Sequence, residues 1–148
     1  MKVVLDNDAI MPTRAHENDA GFDLYSREEK VVPARGSAMF DTGVHIELEK
    51  IHLFALDGLK GFKTVGFLKS KSGLNVKNGI TGEGVIDMDY TGSIVVKLYN
   101  DSDKDYKVKK GDKISQLVIL PILTPELERV EALGKTKRGS NGFGSTGR

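Results

Sequence analysis

Short strand-like runs, broken at close intervals by turn residues, dominate this chain. Alternating or apolar stretches recur at Lys2–Leu5, Phe22–Tyr25, Lys30–Val32, Ala38–Phe40, Val44–Leu48, His52–Leu56, Thr64–Leu68, Ile94–Leu98 and Ile114–Leu120. Between them stand Pro33-Ala-Arg-Gly36, Asp41-Thr-Gly43, Asp57-Gly58, Asn78-Gly79 and Lys110-Gly111-Asp112. No long stretch has helical periodicity. Short strands with regular turn signals predict an all-β sandwich or barrel. One short helix fits at Lys71–Lys77, and Pro125–Leu133 reads equally as helix or strand.

The 148 residues suffice for one domain. With 39% hydrophobic and 29% charged residues, the chain can build a core and stay soluble. No apolar run approaches the ~20 residues of a membrane helix, so no membrane role is expected. The start, Met1-Lys-Val-Val-Leu-Asp6, turns acidic too early for a secretory signal. Lys plus Arg number 22 and Asp plus Glu 21, for a net charge of +1. That balance argues against binding nucleic acid through bulk charge.

Cysteine is absent, which removes disulfides, thiolate nucleophiles, iron–sulfur clusters and thiolate zinc sites. The expected compartment is reducing or indifferent to redox. Three histidines, His16, His45 and His52, make a poor case for a histidine metal site. A metal here would be a hard cation held by carboxylates and substrate oxygens. Glycine numbers 17, well above the usual ~7%, without a repeat period.

Several motifs fail on context. Gly142-Phe-Gly144-Ser-Thr-Gly147 spells a dinucleotide pattern, but no helix can follow it. Gly139 to Ser145 approaches a P-loop, with Ser145 where lysine must stand. Asp101-Ser-Asp103-Lys-Asp105 opens like a calcium loop, but Tyr106 replaces the required glycine. Asn100-Asp-Ser102 is a glycosylation triplet by pattern alone.

Three segments are richer. The tail from Gly134 to Arg148 has one large apolar residue, Phe143, and cannot order itself through burial. It reads as a frayed terminus or as an arm that orders on a ligand. Its glycines, hydroxyls, Lys135, Lys137 and Arg138 suit phosphate oxygens, and Phe143 suits a flat ring. Lys69-Ser-Lys71-Ser72-Gly73 precedes the expected helix, whose first amides favour an anion, or else Ser72 is simply a cap. In Gly82–Gly92, an extended backbone would put Asp87 and Asp89 on one face and Tyr90 on the other. Those aspartates are either a turn at a hairpin end or carboxylates held as base or metal partner.

Taken together, the segments resemble the trimeric dUTPases, the deoxyuridine 5′-triphosphate nucleotidohydrolases. Five motifs occur in the family's order. They are Ala20-Gly-Phe-Asp23-Leu24; Gly66-Phe-Leu-Lys-Ser-Lys71-Ser72-Gly73-Leu74; Gly84-Val-Ile-Asp87-Met-Asp-Tyr90-Thr-Gly92; Gly111-Asp-Lys-Ile-Ser-Gln116-Leu117; and Arg138-Gly-Ser-Asn-Gly-Phe143-Gly144-Ser145-Thr146-Gly147. They span nearly the whole chain.

The resemblance implies a jelly-roll-like subunit at residues 1–133, a flexible arm at 134–148 and a homotrimer with sites between subunits. It implies cytoplasmic, Mg²⁺-dependent hydrolysis of dUTP to dUMP and pyrophosphate, which keeps uracil out of DNA and supplies dUMP for dTMP synthesis. By resemblance, Asp87 orients and deprotonates the attacking water, and Asp23 meets the magnesium shell through water. Lys71, Ser72 and Gly73 bind phosphates, with Gln116, counted with Asp87 among the catalytic residues, as a further polar contact near the phosphates. Arg138 takes the terminal phosphate, Ser145 and Thr146 add hydroxyls and amides beside Gly144, and Phe143 stacks on uracil. Tyr90 lies under the deoxyribose and excludes a 2′-hydroxyl. A hairpin around Thr81, Val85 and Ile86 reads the uracil edge through backbone groups; cytosine would leave them unpaired.

Two positions depart from the family pattern: Lys71 and Lys113 stand where arginine is usual. Lysine is a point charge rather than a planar fork, so bidentate phosphate contact is lost. The Asp57–Lys63 turn resembles a lineage-specific insertion. The competing reading is a dUTP-binding regulator acting through a protein partner. A dCTP deaminase on the same fold would need a different base-reading constellation.

Overall fold

A computed structural model describes residues 1–49 and 62–140. The expected strand at His52–Leu56, most of the Asp57–Lys63 turn, and Phe143, Gly144, Ser145 and Thr146 lie outside the described residues.

The elements run β1 (Lys2–Leu5), β2 (Gly21–Tyr25), β3 (Lys30–Val32), β4 (Ser37–Asp41), β5 (Val44–Glu47), β6 (Phe62–Lys69), α1 (Ser72–Asn78), β7 (Ile80–Thr81), β8 (Gly84–Ile86), β9 (Val95–Asn100), β10 (Tyr106–Val108) and β11 (Lys113–Leu123). One sheet has the order β2-β11-β6-β8 and another β4-β9-β7; β1 pairs with β5 and β10 with β3. All the pairings are antiparallel. This is the all-β arrangement that the punctuated pattern predicts, jelly-roll-like as the resemblance implies.

The core draws on both larger sheets. Leu24, Leu68, Ile86 and Leu117 come from the first, and Phe40, Ile80, Val96 and Leu98 from the second. β9 shows the alternation that makes this possible: Val96, Leu98 and Asn100 point in, while Val95, Lys97 and Tyr99 point out. Each fully buried Leu or Phe contributes roughly 1.5–3 kcal/mol. Asn100 earns its buried place by donating its amide to the Val32 carbonyl at 3.0 Å and the Lys104 carbonyl at 2.9 Å. Its motif is a packed turn, since the acidic stretch after it folds around that side chain.

Three strands escaped the apolar-run criterion. β7, β8 and β10 have two or three residues each and lie among glycines or lysines, too short for a pattern to register. Pro125–Leu133 is neither helix nor strand; among the described residues, regular structure ends with β11. Leu127 is 97% exposed and Leu133 88% exposed, so these two side chains are left unpacked by the described residues.

Candidate functional site

The middle of the first sheet carries one polar rung. Gln116 on β11 is paired with Asp23 on β2 and with Lys69 on β6. A bulge in β11 brings a further residue to this face. Between Lys113 and Ser115 the register with β2 shifts, so that Ser115 faces Leu24 while Lys113 faces Tyr25. Ile114 and Ser115 are consecutive, and both are buried. On a regular strand, residues three apart fall on opposite faces. The extra residue reverses that parity and puts Lys113 on the face of Gln116 and Asp23.

Asp23 is the centre of the resulting cluster. Its side chain is only 6% exposed, with Lys113 Nζ at 2.7 Å from Oδ2 and Lys71 Nζ on Oδ1. Burial pushes the Asp23 carboxyl up, but hydrogen bonds and charge from Lys113 and Lys71 outweigh it and hold the group below the ordinary carboxylate range. Lys113 is correspondingly raised, chiefly by its hydrogen bond to Asp23 and by that carboxylate's charge. From the sequence Lys113 is marked only as standing where the family has arginine, and Ser70, described next, is given no role of its own. The bulge hid Lys113, because simple alternation turns it toward the core. Ser70 carries no signal beyond its place between two lysines.

The turn after β6 is tied to its neighbours through backbone atoms. Ser115 Oγ donates to the Lys69 carbonyl at 3.1 Å, and Gln116 Nε2 donates to the Ser70 carbonyl at 3.3 Å. The Gly82 amide donates to Ser70 Oγ at 3.0 Å, and Ser70 Oγ donates to the Gly82 carbonyl at 3.2 Å. Gln116 therefore positions the loop that leads to Lys71. Lys71 occupies the N-cap of α1, no side chain caps the helix, and Ser72 is its first residue. The alternative reading of Ser72 as the cap is thus corrected: the chain turns one residue earlier. Ser72 and Gly73 are exposed. A Cβ added at Gly73 would meet nothing within 4 Å, and its φ is not left-handed, so nothing in its own surroundings requires glycine.

Thr81, Val85 and Ile86 do not form the expected self-paired hairpin. β7 pairs with β9 in one sheet, and β8 pairs with β6 in the other. Each is the last strand of its sheet, and edge strands leave a row of backbone groups available to a ligand. Gly82 sits where they diverge; a Cβ there would lie 2.8 Å from the Lys97 carbonyl oxygen, so only glycine fits. Ile86 is buried and Val85 is 60% exposed.

β8 ends at Ile86, and Asp87–Tyr90 is a turn closed by the Tyr90 amide donating to the Asp87 carbonyl at 3.1 Å. The extended geometry that would place Asp87 and Asp89 on one strand face is therefore not adopted. The Tyr90 hydroxyl donates to the Ser93 carbonyl at 2.9 Å. The phenol lies across Gly92, where a Cβ would approach its oxygen to 2.5 Å. Asp87, Met88 and Asp89 border a cleft of about 210 Å³ with Lys63, Val65 and Ile122.

The chain does not bring its two groups of expected site residues together. Gly66 faces Ile86 and Leu68 faces Gly84, so Asp87 follows toward Val65 in the middle of β6, while Lys71 comes after Lys69 at that strand's end. Four residues of strand span about 13 Å at ~3.3 Å each. The cleft at Asp87 includes none of Asp23, Lys71, Ser72 or Gln116. Arg138 lies in the exposed segment beyond Gly134, outside regular structure.

The family model for dUTPase matches residues 7–147. The chain belongs to the dUTPase family. Among curated dUTPases, the deoxyuridine 5′-triphosphate nucleotidohydrolase of Yarrowia lipolytica is 40% identical over 146 residues, covering 97% of this chain and 85% of that protein. The corresponding Oryza sativa protein is 44% identical over 144 residues, covering 97% and 77%. Among solved dUTPases, that of Staphylococcus bacteriophage 80alpha with dUPNHPP superposes with a TM-score of 0.83 at 31% identity, covering 99% of this chain and 98% of that one. A mutant dUTPase from phage phi11 of S. aureus, described for its coordination of a structural Mg(II) ion, gives a TM-score of 0.73 at 30% identity over 88% of this chain and 96% of that one.

This dUTPase-family chain offers a resident metal ion no direct seat among the described residues. No group of three acidic or histidine side chains among the described residues could hold a metal ion, and both oxygens of Asp23 face ammonium groups. Nor is any helix among the described residues long and apolar enough to cross a membrane.

Proposed function

We propose that this chain hydrolyses dUTP, taken as its magnesium complex, to dUMP and pyrophosphate. Water attacks the α-phosphorus, the bond to the oxygen bridging to the β-phosphate breaks, and the water proton passes to Asp87. Positioning water and a base is what this reaction asks of the protein. Lys71, Ser72 and Gly73 hold the phosphates on the loop that Gln116 and Ser70 fix. The open space at Gly73 supports close approach by phosphate. Backbone groups of Thr81, Val85 and Ile86 read uracil, and Tyr90 lies under the deoxyribose. Arg138 takes the terminal phosphate and Phe143 stacks on the base, with Gly144, Ser145 and Thr146 beside it.

One observation supports the assembly: Asp87 follows Ile86 near Val65 in the middle of β6, whereas Lys71 lies beyond the strand's end at Lys69. A single chain thus holds two half-sites. A homotrimer of the 1–133 domain, with each 134–148 arm crossing to a neighbour, joins Asp87 and Tyr90 of one subunit to Lys71 and Gln116 of another. The exposed Leu127 and Leu133 support a neighbour along that path. The reaction takes place in the cytoplasm.

The test is pyrophosphate release from dUTP beside dCTP, dTTP and UTP, in wild type and Asp87→Asn. Release from dUTP alone, lost in the variant, is expected. A second reading has the chain bind dUTP and act through a protein partner. It is favoured by the fold match to phage 80alpha dUTPases, described as controlling transfer of virulence genes by a proto-oncogenic G protein-like mechanism. Tight dUTP binding without release would select it.

A further inference from the structure

His45 links the turn that carries Tyr90 to the start of the chain. Val44 and Ile46 on β5 are buried, and His45 between them points outward. One ring nitrogen, Nδ1, lies 3.0 Å from the Thr91 carbonyl oxygen. The other, Nε2, lies 3.4 Å from Asp6 Oδ1. Carbonyl and carboxylate oxygens only accept hydrogen bonds. A neutral imidazole has a single N–H and must turn a lone pair on one of them, whereas the imidazolium has a donor for each. Among the described residues, Lys2 from β1 and Glu47 from β5 are the further charged groups beside the ring. They border one cavity of about 390 Å³ with it and pair with each other at 2.9 Å. Asp6 is fixed from its far side by Arg27, whose Nη1 lies 3.1 Å from Oδ2.

The same arginine reaches the turn by a second route. Arg27 Nη2 lies 2.6 Å from Asp41 Oδ2, and Asp41 Oδ1 accepts from the Ser93 hydroxyl. Ser93 supplies the carbonyl that holds the Tyr90 phenol. The turn is thus held at Thr91 by His45 and at Ser93 by Asp41, and both routes meet on Arg27. In a belt of carboxylates and a guanidinium, histidine is the side chain that ordinarily changes charge between about pH 5 and 8.

We propose that His45 is a positioning residue: its imidazolium braces the Thr91 carbonyl against Asp6 and so keeps the Tyr90 phenol where it shuts out a ribose 2′-hydroxyl. The inference deepens the proposed function and rests on Tyr90 lying under the deoxyribose. Without the extra proton, His45 satisfies only one of its two partners. The Thr91 peptide then shifts, and with it the phenol on the same turn. Preference for dUTP over UTP therefore weakens as pH rises through the titration of His45. Asp6 sets that dependence. An asparagine there can keep its carbonyl on Arg27 and give an N–H to Nε2, so that neutral imidazole serves as well as the charged form.

The test measures kcat/KM for dUTP and for UTP, with magnesium, between about pH 5 and 8. The two nucleotides share triphosphate and base, and Asp87 serves both, so these ionisations cancel in the ratio. In wild type the dUTP/UTP ratio is expected to fall roughly three- to tenfold with rising pH, the worth of one hydrogen bond. His45→Ala is expected to show the lower ratio at every pH, and Asp6→Asn to hold the higher ratio throughout. NMR of the full chain without nucleotide gives a second readout. The Gly92 amide shares its peptide unit with the Thr91 carbonyl, and its signal is expected to move in step with the His45 ring. The inference is overturned if the wild-type ratio is flat with pH, if His45→Ala matches wild type, or if Asp6→Asn keeps the pH dependence. It is also overturned if the Gly92 amide ignores the titration of His45. Should either variant not fold, the wild-type ratio and the NMR titration decide. Hydrolysis of dUTP with a flat ratio overturns only this inference. A Gly92 amide that follows His45 in a chain hydrolysing neither nucleotide overturns the proposed function and leaves the brace.

Discussion

At the scale of single residues, Asp87 and Gly92 make contrasting predictions. Asp87 is exposed at the end of β8, so Asp87→Asn should leave the melting temperature nearly unchanged. If Asp87 is the base, kcat for dUTP should fall by roughly 10²–10⁴-fold, and unchanged turnover would remove it from that role. Gly92→Ala acts through a neighbour. The new methyl collides with the Tyr90 hydroxyl, which is 2.5 Å from the Cβ position, and so breaks its bond to the Ser93 carbonyl. The phenol can swing away, so stability should drop by only about 1 kcal/mol. Discrimination between dUTP and UTP should weaken more than kcat; steady-state assays with both nucleotides would detect it. Asp87 and Tyr90 were legible in the sequence as chemistry-bearing residues. Their turn was not, because alternation assumes the strand continues past Ile86.

At the scale of elements, packing and charge hold the strands in place. Leu117 is fully buried between β2 and β6. Leu117→Ala should cost about 2–5 kcal/mol through lost burial and the cavity left behind, as read by urea unfolding. A second device ties the turn before Ala9 to the end of β4. Arg27 Nη2 lies 2.6 Å from Asp41, and its Nη1 lies 3.1 Å from both Asp6 and Asp8. Asp41 is held below the ordinary carboxylate range first by the Ser93 hydroxyl, then by the Gly43 amide, with Arg27 adding charge. A carboxylate depressed in the folded state contributes stability above its unfolded value. That contribution is lost as pH falls through the folded value. Wild type should therefore lose stability on acidification below the ordinary Asp range, and Asp41→Asn should lose less over that interval. Thermal melts across acidic pH would show parallel curves if Asp41 plays no part. Its partial exposure makes the effect modest.

At the scale of the whole molecule, the separation of Asp87 from Lys71 makes one prediction about assembly. Asp87→Asn and Lys71→Ala proteins should each be inactive on dUTP, while a mixture refolded together should regain activity. In a cyclic trimer mixed equally, roughly a quarter of sites would draw both intact residues from different subunits. No recovery would place the whole site within one chain. Sequence alone determined the all-β class, most of the strands, the helix and which residue types are present for the proposed chemistry. Alternation, turn residues and residue type are local properties, and a local pattern suffices to express them. Only the tertiary structure decided which of those residues meet. The bulge at Ile114 turns Lys113 onto the face of Asp23, β7 and β8 part into different sheets, and β6 separates Asp87 from Lys71. Each depends on register and strand order, which arise from partners distant in the chain and leave no trace in the spacing of neighbouring residues.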